Sequence, residues 1–125
     1  MARVKDDLAE EYQSEMLLIC YKSRKEIHYN PSRFEQAVNN RGGVAATKKF
    51  ISPGIAPGLL RLCGPMRLDL SMEFIMLQPK YSPLFTDEEL KIAADNLALL
   101  SNHLTVAQAT QLYNALRANA KLRAK

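Results

Sequence analysis

Four ionisable residues, Arg61, Arg67, Asp69 and Glu73, stand inside an otherwise apolar stretch of the chain. They form its most informative polar set. Asp69 and Glu73 are spaced one helical turn apart, and Arg67 or Arg61 can pair with either carboxylate. Two uses follow from that spacing. One is a local ion pair that fixes a loop against a helix; the other is a polar groove that reads a partner. No other cluster offers as much. His28 and His103 are far apart in sequence, and neither has a Cys, Asp or Glu at metal-ligand spacing, so no metal site is expected. Cys20 and Cys63 both lie in apolar settings, which favours buried, reduced and inert thiols over a disulfide or a nucleophile. Glu88 and Glu89 are explained by helix capping. There is no Walker loop, no Gly-x-Ser-x-Gly elbow and no dinucleotide fingerprint. The expectation is a non-enzymatic protein with no catalytic residues and no cofactor.

The elements that hold these residues read as helices throughout. Val4, Leu8, Tyr12, Met16 and Ile19 or Cys20 recur on one face of a first helix over residues 4–26. Its acids Asp6, Asp7, Glu10 and Glu11 come first and its bases Lys22, Arg24 and Lys25 last, as the helix dipole prefers. Asn30 followed by Pro31 reads as a cap and first turn. The second helix carries Phe34, Ala37 and Val38 inward and stops at Gly42-Gly43, and a short third helix covers residues 44–51. Two prolines and two glycines make residues 52–58 a loop. A helical turn is expected at residues 58–63, then a helix capped by Asp69 or Ser71 that buries Met72, Phe74, Ile75 and Met76 and ends at Pro79. Thr86 with Glu89 is a capping box, and Phe85 with Leu90 its hydrophobic staple. Leu90, Ala93, Ala94, Leu97 and Leu100 form the face of that helix. Thr105 with Gln108 repeats the box, and Ala109, Leu112, Tyr113 and Leu116 read as the buried face of the last helix. The fold class is all-α: a compact bundle of about five to six helices, in one domain over residues 1–125, with a basic C-terminal tail from about residue 117.

A pattern runs through residues 29–90: Tyr29-x-Pro31-x-Arg33-Phe34, then Gly42-Gly43-Val44, then Arg67-Leu68-Asp69-Leu70-Ser71-x-Glu73, then Pro83-Leu84-Phe85-Thr86-x-Glu88-Glu89-Leu90. It resembles small bacterial proteins of unassigned function. The chain departs from that pattern at Cys63, where the pattern has Trp, and at Met66, where it has Gly. The resemblance implies a fold and no activity. Residues 42–53 also resemble the first helix and turn of phage-repressor DNA-binding units. A recognition helix would have to follow and lie intact in the major groove. Gly54, Pro57 and Gly58 break it at its start, so an ordinary helical hairpin with a glycine turn is the preferred reading.

Charge separates the remaining function classes. The 125 residues carry a net charge of +4, and the isoelectric point is near 9.2. Lys22, Arg24, Lys25, Arg33, Arg41, Lys48 and Lys49 face only Glu26 and Glu35 in their stretch. The tail adds Arg117, Lys121, Arg123 and Lys125 with no acid. A polyanionic partner fits that balance. Contacts would come from Lys22, Lys25, Arg33, Arg41, Lys48 and Lys49, to phosphates rather than base edges. Plasmid, phage or defence-accessory proteins are the class in view. The alternative is a protein-binding adaptor or inhibitor that docks by helix faces, or a homodimer. Its contact surface would be the Met- and aromatic-rich segment 66–81, with Arg61, Arg67, Asp69 and Glu73 as polar contacts. No apolar run is long enough to cross a bilayer, and the start, with Arg3, Lys5, Asp6 and Asp7, lacks the apolar core of a signal peptide. A cytoplasmic location is expected.

Overall fold

The computed structural model describes residues 2–124, with side chains from residue 7 onward. The side chains of Arg3, Val4, Lys5 and Asp6, and Lys125 of the tail, lie outside the described residues. The protein is all-α. Among the described residues the α-helices are α1 (Ala2–Ile27), α2 (Ser32–Arg41), α3 (Gly43–Phe50), α4 (Pro57–Leu60), α5 (Met72–Met76), α6 (Asp87–Leu99) and α7 (Val106–Arg123). Short 3-10 turns at Leu68–Leu70, Ser82–Leu84 and Ser101–His103 connect the later ones. Read as one domain from sequence, the chain falls by its contacts into two compact units, Met1–Ile51 and Ser52–Lys125. The boundary lies where the expected Pro/Gly loop begins.

In the first unit α1 is the spine. Tyr12, Met16, Ile19 and Cys20 are buried on one face, as the spacing predicts, and α2 adds Ala37 and Val38. The glycine pair between α2 and α3 has two separate physical reasons. Gly42 sits at φ +92°, a left-handed conformation that costs a residue with a Cβ. Gly43 allows close approach: a Cβ there would lie 2.8 Å from the backbone Cα of Gln13 on α1. The Gln13 side chain uses that proximity, its Oε1 accepting the Gly43 amide at 2.9 Å. One turn on, the buried Thr47 hydroxyl donates to the Gly43 carbonyl at 2.9 Å and accepts from Tyr12 Oη at 2.8 Å. At the other end of α2 the expected Asn30 cap does not form. Pro31 is the cap residue and makes no side-chain cap bond, while Asn30 Oδ1 accepts instead from Arg24.

The second unit is ordered by caps and buried amides. Both capping boxes form: Thr86 with Glu89 on α6 and Thr105 with Gln108 on α7. Phe85 and Leu90, the staple pair, are both buried. Ser71 rather than Asp69 caps α5, accepting the Phe74 amide at 3.1 Å. Asn96 on α6 holds the Pro/Gly loop, donating to the Ser52 carbonyl and accepting the Gly54 amide, each at 2.9 Å. The buried face of α7 differs from expectation. Leu112, Ala115 and Asn119 point inward, while Ala109 and Tyr113 are exposed. Asn119 accounts for the rotation: its amide donates to the Leu77 carbonyl at 2.7 Å and its Oδ1 accepts from Ser82 Oγ at 2.9 Å. The basic tail continues α7 as far as Arg123, whose guanidinium donates to the Phe85 carbonyl and pairs with Asp87.

Because the α1–α3 approach leaves no room for a Cβ, Gly43→Ala is expected to destabilise the protein by about 1–3 kcal/mol, the usual range for overpacking. Thermal or urea unfolding checks this; an unchanged midpoint would show that the approach is not a constraint.

Candidate functional site

The bases of the first unit sit mostly at helix ends. Lys25 lies in the last turn of α1, Arg41 in the last turn of α2, and Lys48 and Lys49 in the last turn of α3. The C-terminal end of a helix dipole favours a cation, so those positions cost the fold nothing. Arg33 is different. It stands in the first turn of α2, where the dipole disfavours positive charge. It is exposed. Among the described residues neither Arg33 nor Arg41 has an ion pair.

Of the two acids in this stretch, Glu26 is exposed and Glu35 is engaged. Glu35 is held by Arg24 in a two-point pair, with contacts of 2.8 and 2.9 Å. That guanidinium keeps the Glu35 carboxyl below its ordinary range. Lys22 is half-buried on α1, and Lys25, Arg33, Arg41, Lys48 and Lys49 are exposed. Two of the lysines lie beside aromatic rings: Lys25 Nζ is 5.7 Å from the Tyr21 ring centre, and Lys49 Nζ 5.9 Å from that of Phe50.

The second unit treats Arg61, Arg67, Asp69 and Glu73 unequally. Arg67 and Asp69 pair at 3.1 Å. Gln108 Nε2, at the start of α7, donates to Asp69 Oδ1 and to the Met66 carbonyl, each at 2.9 Å. The pair therefore ties the 66–69 turn to α7. Arg61 is exposed on the turn after α4. Glu73 is 6% exposed and has no ion pair among the described residues. Burial pushes its carboxyl above the ordinary value of 4.5, with its own backbone amide pulling the other way. The residues that sequence reasoning missed here are amides. Gln108 was legible as a capping partner through its oxygen, but its nitrogen does the bridging.

In the segment expected to form a docking surface, the large apolar side chains at 74, 76 and 81 are interior. Phe74 is 2%, Met76 0% and Tyr81 6% exposed, because α5 and the turn after it pack under α6 and α7 rather than facing solvent. Met66, where the resembling pattern has Gly, adopts φ 60°, the left-handed region that glycine occupies most freely.

Burial, reinforced by Glu35 and opposed by Arg24, pushes the Cys20 thiol up to about 11. Burial also raises Cys63. A protonated thiol is a poor nucleophile. His28 and His103 are both exposed. Among the described residues no three His, Cys, Asp or Glu side chains gather as metal ligands.

No protein-family model, curated protein or solved structure matches the chain.

Glu73 gives a pH prediction. A carboxyl whose folded pKa is raised loses stability as pH climbs from the unfolded value of 4.5 through the folded one, because only the unfolded chain ionises freely. Glu73→Gln, close in shape and never charged, is expected to melt above the wild type at pH 7. Its advantage should close as pH falls toward 4.5. Parallel melting curves from pH 4 to 8 would refute a buried, unpaired carboxyl.

Proposed function

We propose that the chain is a non-enzymatic, nucleic-acid-associated protein of the plasmid, phage or defence-accessory kind, working in the cytoplasm. Its first unit grips phosphate backbones through Arg33, Arg41, Lys48 and Lys49, with Lys22 and Lys25 beside them. The observation that carries this reading is Arg33. It is an exposed cation on the wrong end of a helix dipole, with no carboxylate partner among the described residues. The dipole does not account for a base at that position. Exposed Arg41 adds a second cation without an ion pair, and Glu35, in the same turn of α2 as Arg33, is engaged by Arg24 instead. No helix among the described residues is long and apolar enough to cross a membrane.

The test is fluorescence anisotropy of labelled nucleic acid from low to physiological salt. Affinity is expected to fall steeply with salt, and Arg41→Ala, Lys48→Ala and Lys49→Ala together should flatten the log–log slope by about 2–3, close to one for each phosphate contact removed. Absence of binding at low salt would end the proposal.

A second reading, a protein-binding adaptor or a homodimer, is favoured by a different observation. Val106 is 85%, Tyr113 61% and Leu116 37% exposed. They fall on one side of α7, at the seven- and three-residue spacing of a helix–helix seam. On that reading the wild type gains mass with concentration in sedimentation and Tyr113→Glu does not. A wild type that stays monomeric and makes no helix-mediated contact would remove the support.

A further inference from the structure

The bases of the first unit are interleaved with aromatic rings, and this interleaving narrows the ligand. Arg33-Phe34 begins α2 and Lys49-Phe50 ends α3. The turn at Gly42 folds α3 back along α2, so that these two base–aromatic dipeptides meet. The Phe34 and Phe50 ring centres are 5.8 Å apart and cross edge-to-face at 70°. Both rings are half-buried, so each keeps part of its surface in solvent. Lys49 Nζ lies beside the Phe50 ring. On α1 a base again stands beside a ring: Tyr21 is 52% exposed, and Lys25 Nζ lies 5.7 Å from its ring centre and 3.3 Å from its hydroxyl.

We infer that the ligand is a single-stranded nucleic acid, held by stacking of its bases on Tyr21 and on the Phe34–Phe50 pair while the flanking Arg33, Lys25 and Lys49 take its phosphates. This inference rests on the phosphate-binding reading above. Ligands differ in whether they can use a ring. In a duplex the bases are already stacked on each other and offer no free face, so an exposed aromatic adds nothing to phosphate contact. In a single strand each base has a face to give, and stacking on an aromatic is tolerant of sequence. The lysines beside the rings have long, flexible side chains. Each can reach a phosphate while the ring face takes a base, so the same couple serves both halves of a nucleotide. Electrostatics alone would order the ligands the other way. A duplex carries the denser charge and releases more counterions per contact than a single strand. A protein that merely collects phosphates therefore prefers duplex, and a preference for single strands requires something besides charge.

The experiment compares fluorescein-labelled 12-nucleotide oligo-dT and oligo-U with a labelled duplex of about 12 base pairs, by anisotropy at a salt concentration where all are measurable. Single strands are expected to bind about tenfold more tightly than duplex, the scale of one or two stacked bases. The dT and U arms separate DNA from RNA as the source. Tyr21→Leu removes an exposed ring without touching the core and should weaken single-strand binding about fivefold or more while leaving the duplex value unchanged. Phe50→Leu should do the same, with its melting curve recorded to confirm the fold, and Arg41→Ala should weaken both ligands together. Equal affinity for the two forms, or tighter duplex binding, overturns the inference and spares the phosphate-binding reading. Ring variants that weaken both ligands alike overturn it as well. Failure of every oligonucleotide to bind at low salt overturns both.

Discussion

The first unit depends on how closely α3 can lie against α1 at Gln13. A residue with a Cβ at position 43 would drive that atom to 2.8 Å from the Gln13 Cα, well inside contact distance. With glycine there, the first turn of α3 reaches the α1 backbone. Gln13 then satisfies the Gly43 amide, one of the donors that every helix start leaves without an internal partner. That anchor sets the rotation of α3. Thr47 falls one turn further, under Tyr12, and the two hydroxyls close a buried chain that ends on the Gly43 carbonyl. Fixing α3 also fixes α2, because a single left-handed residue, Gly42, joins them. The meeting of Phe34 and Phe50, and the standing of Arg33 and Lys49 beside them, is thus a distant consequence of a missing methyl group.

The second unit solves a different problem. Apart from α6 and α7 its elements are short and separated by turns, so many backbone groups have no helical partner, and buried orphans are costly. Side-chain amides fill the gap, since each offers a donor and an acceptor at once. Asn96 closes the Ser52–Gly54 turn, Asn119 takes up the Leu77 carbonyl, and Gln108 caps α7 while bridging to Met66 and Asp69. Among the described residues no buried side-chain nitrogen or oxygen lacks a partner. The Arg67–Asp69 pair belongs to this scheme. Half-exposed ion pairs contribute little alone, but Asp69 also receives Gln108, so it aligns the 66–69 turn with the start of α7.

What the sequence displayed and what it hid follow the range of the interactions. Capping boxes involve residues three apart, so Thr86–Glu89 and Thr105–Gln108 are legible without any tertiary knowledge. The α1 face is legible because its apolar residues are large and evenly spaced. The α7 face is not. Its true inward residues include Asn119, whose polarity argues for solvent, while Tyr113 looks like core and faces water. Only the partners Ser82 and Leu77, some forty residues away, make an asparagine better inside. Glu73 is hidden for the same reason: a glutamate in a helix reads as surface, and nothing local records that α5 turns it inward. The six bases were legible as composition. Their pairing with aromatics was not, because Arg33-Phe34 and Lys49-Phe50 become neighbours only once α2 and α3 fold back on each other.

Charge in a small helical protein has two origins, and position on the helix separates them. Lys25, Arg41, Lys48 and Lys49 occupy last turns, where a cation complements the exposed carbonyls and would be found whether or not anything binds. Their presence alone argues weakly for a ligand. Arg24 is positive too, yet its charge is consumed internally by Glu35. Arg33 fits neither account: the dipole opposes it, and among the described residues no acid offsets it. A charge that works against its own helix is informative in the way that a buried polar group is, because the fold bears a cost with no internal return. On the function proposed above, a negative partner from outside the chain offsets that cost. On the inference drawn above, the half-buried Phe34 beside it offers that partner a ring as well.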